Sequence, residues 1–254
     1  MLIAIDIGNS TINIGFFTET TLFVKKINTY PLLSASQYNF FLNRFIKETN
    51  INKKPKGIII SSVVPRTTKV LEKALSTLVP IELLHVNWRL KTGLAFKIPK
   101  PGELGSDRIA NAVAAYALFR SPVATVDFGT ASTISVVGQK ASFIGGAIFP
   151  GIRLMGTSLD SGTSQLFEIT IKAPASVLGT DTTESIESGI WYGSAGAAEK
   201  ILEETEKKIG YKLKVVITGG FGGTVSSFIK RKHYVLPHLT LDGLNLIYEM
   251  NSHA

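Results

Sequence analysis

The chain has 254 residues, 44% of them hydrophobic and 18% charged, which suits one large compact unit or two small domains and argues against disorder. It contains no cysteine, which excludes disulfides, thiolate metal sites and cysteine nucleophiles and fits a reducing compartment. The net charge of +8 is spread over separated runs (Lys25-Lys26, Lys53-Lys54-Pro55-Lys56, Lys230-Arg231-Lys232) without interleaved aromatics, a pattern that argues against a nucleic-acid partner and for attraction of small anions.

Leu2 to Ile7 is a short apolar run that Asp6 interrupts, so neither a signal peptide nor a membrane span is expected there and a cytoplasmic protein is. With Ile12 to Phe17 it reads as a hairpin, and Thr21 to Ile27 as a third strand. Ala35 to Thr49 has helical spacing, Gly57 to Val64 reads as a buried strand closed by Pro65, and Arg66 to Leu78 as an amphipathic helix. Ile81 to Val86 is expected as a strand and Ser106 to Phe119 as an alanine-rich helix. The opening pattern then returns: Ala124 to Val137, with Asp127-Phe-Gly129-Thr130, copies Ile3 to Ile14, with Asp6-Ile-Gly8-Asn9. Ala141 to Ile148 supplies another strand, Asp181 to Ile209 is helical, and the strand Leu213 to Thr218 ends in Gly219-Gly-Phe-Gly-Gly223. Thr224 to Lys230 and Leu241 to Glu249 look helical, and the last residues, Asn251 to Ala254, are expected to be disordered.

The recurrence of a whole strand–turn–strand unit at mid-chain predicts two α/β halves facing each other across a cleft, residues 1–120 and 121–254, with the boundary near Arg120-Ser121-Pro122. In each copy the glycine lets the backbone turn sharply and brings amides toward an anion. Asn9, Ser10 and Thr11, and Thr130, Ser132 and Thr133, can add donors, while Asp6 and Asp127 can hold a cation or water that bridges to phosphate. A single such turn reads as well as a plain hairpin; the pair points to a clamp for a nucleoside triphosphate. The Gly219 to Gly223 cluster fits a backbone surface for adenosine or an unliganded strand-to-helix turn, and no P-loop or dinucleotide glycine pattern occurs. His85, His233, His238 and His253 lack metal-ligand spacing and a triad neighbourhood.

Gly105-Ser106-Asp107-Arg108 opens the alanine-rich helix. It reads either as a helix cap with a solvated arginine or as a reaction site. In the second reading Asp107 takes the proton of an attacking hydroxyl and Arg108 binds an anionic group. A carboxylate at a helix N-terminus is expected to stay ionised and to be a weak base, which the loose transition state of phosphoryl transfer tolerates.

Asp6-Ile-Gly-Asn9-Ser10, Gly105-Ser-Asp107-Arg108 and Asp127-Phe-Gly129-Thr130-Ala-Ser-Thr133, in this order and at these separations, resemble the type III pantothenate kinases, as do Gly145-Gly146 to Pro150-Gly151 and Gly219 to Gly223. The resemblance covers residues 1 to about 223. It implies an α/β fold of duplicated ribonuclease-H-like, actin-like ATPase domains. It also implies ATP-dependent phosphorylation of the pantothenate primary hydroxyl, the entry step to coenzyme A, with Mg²⁺ accompanying the nucleotide. The loop Asp6, Ile7, Gly8, Asn9, Ser10, Thr11, Ile12, Asn13 would bind ATP, as would Thr130. Gly105, Ser106, Asp107 and Arg108 would contact pantothenate, with Asp107 as the catalytic proton acceptor. Asp127 would hold a monovalent cation, K⁺ or NH₄⁺, and Thr182 would reach pantothenate from the neighbouring subunit of a homodimer. Two positions depart from the family pattern: Ile98 replaces a tyrosine ahead of the catalytic aspartate, where Phe96 could compensate, and Asp181 replaces an asparagine before Thr182. Both lie on the pantothenate side, so a related kinase with another acceptor stays open as an alternative, as does a nucleotide-binding regulator without turnover.

Overall fold

In β1 (Leu2–Ile7) the side chains alternate between two cores, Ile3, Ile5 and Ile7 facing one and Leu2 and Ala4 the other, as the two-residue period of a strand dictates. The computed structural model describes residues 1–49, 55–78, 83–162 and 172–252. β1 pairs antiparallel with β2 (Thr11–Phe17), which pairs with β3 (Leu22–Asn28). After α1 (Ala35–Glu48), β4 (Gly57–Ser62) lies parallel to β1; α2 (Pro65–Leu78) and the parallel strand β5 (Leu83–His85) follow. The first sheet therefore runs β3-β2-β1-β4-β5. Of the expected strand at residues 81–86, Ile81 and Glu82 lie outside the described residues, as do Lys53 and Lys54 of one basic run and the final two residues.

Helix starts follow local chemistry. Ser34 caps α1 in a capping box with Gln37, and Pro65, expected to close a strand, instead begins α2, where its missing N–H costs nothing. α1 and α2 cover one face of the sheet with Tyr38, Leu42, Leu71 and Leu75. A short strand β6 (Ala95–Phe96) precedes α3 (Ser106–Phe119), whose Ile109, Ala110 and Val113 cover the other face.

The second sheet repeats the plan. β7 (Val123–Phe128) pairs antiparallel with β8 (Ala131–Val137), and β8 with β9 (Ser142–Pro150). After α4 (Ile152–Gly162) and α5 (Thr182–Ile209), β10 (Lys214–Thr218) lies parallel to β7. The short helix α6 (Gly222–Val225) then leads to β11 (Tyr234–Val235), parallel to β10. The five strands of this unit run β9-β8-β7-β10-β11, the order of the first sheet element for element. α4 was not expected from the sequence. The expected helix at Thr224 to Lys230 is the end of α6 followed by a single 3₁₀ turn, Ser226–Phe228.

The chain divides into one unit of Met1–Ala114 with Leu239–Ala254, and a second of Ala115–His238. The expected division into 1–120 and 121–254 thus differs in two ways: the break falls inside α3, and the closing helix α7 (Leu239–Asn251) belongs with the first half. The cause is packing. Leu241, Leu244 and Ile247 of α7 fill the core under α3, and glycine allows two close approaches, Gly243 to the Ala110 carbonyl and Gly57 to the Tyr248 ring. Tyr248 also donates its hydroxyl to the Lys56 carbonyl at 2.9 Å, and Thr240 donates to Asn111 Oδ1 at 2.8 Å.

Candidate active site

Asp6 stands at the C-terminal end of β1, where the strand turns back through Gly8 to Thr11; the Gly8 N–H donates to the Thr11 carbonyl at 2.9 Å. The buried Thr29, just beyond β3, donates its hydroxyl to the Gly8 carbonyl at 2.6 Å and its N–H to the Ser10 carbonyl at 3.0 Å. These two bonds tie the loop's acceptors back toward β3 and leave Asn9 and Ser10 exposed at the tip, an arrangement suited to an anion meeting backbone amides. Ile7 and Ile12 are fully buried, so of the expected loop they can offer only main chain; Thr11 and Asn13 are half-buried. Thr29 was missed in the sequence, where it is one threonine among many.

In the second unit Asp127 and Gly129 occupy the matching place between β7 and β8, with Thr130 exposed at the turn. Glycine surrounds this turn. Gly219 has φ +92°, a left-handed conformation, and any Cβ on it would overlap Asp127 Oδ1 and the Phe128 main chain. A Cβ on Gly151 would overlap the carbonyls of Gly129 and Thr130. The Gly219 cluster therefore has a definite structural role beside the second turn. A carboxylate and main-chain carbonyls around positions without side-chain bulk form an all-oxygen donor set, which fits a hard cation.

The Gly105 to Arg108 segment lies in the first unit. Asp107 Oδ1 accepts the Arg108 N–H at 2.8 Å, and a Cβ on Gly105 would stand 2.5 Å from that same oxygen, so the glycine makes room for the carboxylate. Burial pushes the Asp107 carboxyl above the usual aspartate range, against the pull of the Arg108 N–H and the Arg108 charge. The expected ordinary, weakly basic aspartate is corrected accordingly: the helix start is outweighed by desolvation. Arg108 is itself held below the usual guanidinium range by burial, partly offset by Asp107. The Ser106 side chain points inward. Its Oγ accepts the Ser62 N–H at 2.9 Å and lies 3.1 Å from Ser61 Oγ, and Ser61 donates to Asp6 Oδ1 at 3.0 Å. Asp6 and the start of α3 thus belong to one polar chain, through a serine that the sequence reading passed over.

Thr182 is the exposed first residue of α5, beside a cavity of about 920 Å³ lined by Pro150, Met155, Leu159, Asp181 and Ile186 among others. Asp181 is the N-cap of α5: its side chain accepts the Glu184 N–H at 2.8 Å, while Glu184 reaches back to the Thr180 N–H at 2.8 Å. Capping accounts for an acid at this position, since aspartate and asparagine cap equally well. Phe96, considered as compensation for Ile98, packs on the core shared by α3 and α7. Among the described residues no group of three or more His, Asp or Glu side chains forms a metal cluster, and no helix is long and apolar enough to cross a membrane.

Known proteins resemble this chain along nearly all of its length. The sequence model of the type III pantothenate kinase family matches residues 2–204. A type III pantothenate kinase of Agathobacter rectalis is 36% identical over 251 residues, spanning 98% of this chain and 96% of the relative. Among solved structures, a Baf family protein from Campylobacter jejuni superimposes with a TM-score of 0.62 at 19% identity, over 99% of this chain and 100% of that one. The activator of 2-hydroxyisocaproyl-CoA dehydratase from Clostridium difficile, solved with bound ADPNP, superimposes with a TM-score of 0.56 at 12% identity, over 98% and 95% of the two chains. These structural likenesses place the fold among the actin-like ATPases and sugar kinases.

Proposed function

This chain belongs to the type III pantothenate kinase family, and from that premise we propose how its residues divide the work of moving a phosphoryl group from ATP to pantothenate. It is an ATP-dependent kinase that phosphorylates pantothenate in coenzyme A biosynthesis. The observation that carries the division of labour is Asp107, a carboxyl whose proton affinity is raised by burial, adjacent in sequence to an arginine.

Asp107 accepts the proton of the pantothenate primary hydroxyl as that oxygen bonds to the γ-phosphorus and the bond from phosphorus to the β,γ-bridging oxygen breaks, leaving ADP. Arg108 pairs with the pantothenate carboxylate, and Gly105 lets the substrate and the Asp107 carboxylate approach closely. Ser106 contributes main chain to the substrate, its hydroxyl being engaged beneath the helix. The Asp6 to Asn13 loop would receive the ATP phosphates on main-chain amides, Asp6 would help to hold the Mg²⁺ that accompanies the nucleotide, and Thr130 would also contact ATP. Asp127 with the neighbouring carbonyls would hold K⁺ or NH₄⁺, which would supply positive charge for the transfer. Thr182 serves the substrate site of a second copy in a homodimer, and the cytoplasm, where ATP and pantothenate meet, is the proposed location.

The test is phosphorylation of pantothenate by the purified chain with MgATP in K⁺, NH₄⁺ or Na⁺. Turnover in the first two salts and a loss of about tenfold or more in Na⁺ is expected. Equal rates in all three would remove the cation role from Asp127. Turnover of other hydroxyl acceptors in preference to pantothenate would favour the related-kinase reading, and ATP binding without any turnover the regulator.

A further inference from the structure

Ser61 is fully buried near the end of a strand, β4, that is otherwise apolar through Ile58, Ile59 and Ile60. A lone hydroxyl there must find partners or cost stability. Its register places it directly beside Asp6 on the parallel neighbour β1. The second half of the fold repeats the arrangement, with the buried Thr218 of β10 in register with Asp127 of β7. Both copies therefore set a buried hydroxyl residue next to the aspartate of the turn.

The direction of the hydrogen bonds follows from counting donors. A carboxylate only accepts, so the single Ser61 hydrogen goes to Asp6 Oδ1, at 3.0 Å. In the contact between Ser61 and Ser106, 3.1 Å, the donor is then Ser106, whose single hydrogen is shared between Ser61 Oγ and the Ser62 carbonyl, 3.2 Å away, and whose oxygen accepts the Ser62 N–H at 2.9 Å. Ser106 is the first residue of α3 and Asp107 the second. One serine thus joins the carboxylate of the phosphate loop to the helix turn that carries the proton acceptor.

We propose that Ser61 is a positioning residue for phosphoryl transfer, whose hydroxyl sets the placement of Asp6 and of the Asp107 turn together. This rests on the functional reading above. Without that hydroxyl Asp6 loses one donor and Ser106 one of its two acceptors, and the direct link between Asp6 and the start of α3 is broken. Displacements of about 1 Å at reacting groups cost on the order of 100-fold in rate.

Two variants separate hydroxyl chemistry from packing. Ser61→Ala removes the hydroxyl, and Ser61→Cys keeps the shape with a poor donor, the only thiol in a chain that has none. Both are expected to lose about 10–100-fold in kcat for pantothenate phosphorylation, with smaller changes in KM for pantothenate. Ser61→Cys with kcat within about twofold of the parent would overturn the proposal, because shape alone would then suffice. Should Ser61→Ala fail to fold, Ser61→Cys carries the test by itself. The parent's own turnover is measured alongside. If the parent does not phosphorylate pantothenate, the functional reading fails and the Ser61 question passes to MgATP affinity by calorimetry. A severalfold weakening in both variants then supports the positioning of Asp6, and unchanged affinity in Ser61→Cys overturns it.

Discussion

Replacing the Asp107 carboxylate by its amide removes a charge that the fold holds at a cost while keeping an oxygen to receive the Arg108 N–H. Because burial raises the carboxyl's proton affinity, the folded protein favours the neutral form; the associated stability is full in acid and is lost as pH rises through the folded-state pKa. Asp107→Asn is therefore expected to melt a few degrees above the parent at neutral pH, with the difference vanishing in acid, while turnover falls by about 100-fold or more. The same shift moves the acid limb of the kcat/KM profile above the range of an ordinary aspartate. Thermal melts at two pH values and a pH–rate series check both halves, and a variant less stable than the parent at neutral pH would contradict the assigned cause. Asp107 was legible in the sequence from its place at the start of a helix after a glycine. Its altered basicity was not, because burial depends on residues distant in the chain. Ser61 and Thr29 were hidden for the same reason: their partners, Asp6, Ser106 and the Gly8 carbonyl, lie 55, 45 and 21 positions away.

The paired turns between strands were readable as elements because two local signals coincide in each, an apolar run with a two-residue period and an Asp-x-Gly stop. Helix α4 was not, since Gly156, Ser158, Ser161 and Gly162 lower helix propensity along a segment that tertiary packing of Ile152, Met155 and Leu159 sustains. The glycine cluster after β10 was recognised without a cause; the geometry supplies one at Gly219. Gly219→Ala forces a side chain into a left-handed backbone position and against Asp127. We expect a loss of about 1–3 kcal/mol in stability and, in the folded fraction, a higher K⁺ concentration for half-maximal activity. By contrast Gly223→Ala, whose added Cβ would meet open space, should leave the K⁺ response of the enzyme unchanged. A normal K⁺ response in Gly219→Ala would separate the glycine from the cation role.

The return of α7 to the first unit could not be read from any window of sequence, because the contacts that decide it, Gly243 with Ala110 and Tyr248 with Lys56, join segments more than a hundred residues apart. The same holds for assembly, which local patterns do not encode. Thr182 sits in the second unit, whereas Asp107 lies in the first, and the proposed dimer assigns them to the same reaction by placing them on different chains. That assignment has a consequence in mixtures. Asp107→Asn and Thr182→Ala should each be poorly active alone. In a mixed dimer, however, the site built on the intact Asp107 receives the intact Thr182 from the other copy. Random exchange of equal amounts makes half the dimers mixed, each with one restored site, so about a quarter of parental activity should return. If Thr182 acted on its own chain, every site in the mixture would carry one defect and activity would stay at the average of the two variants. Recovery on mixing, after denaturation and refolding together, thus distinguishes a shared site from a self-contained one without any knowledge of how the copies are arranged.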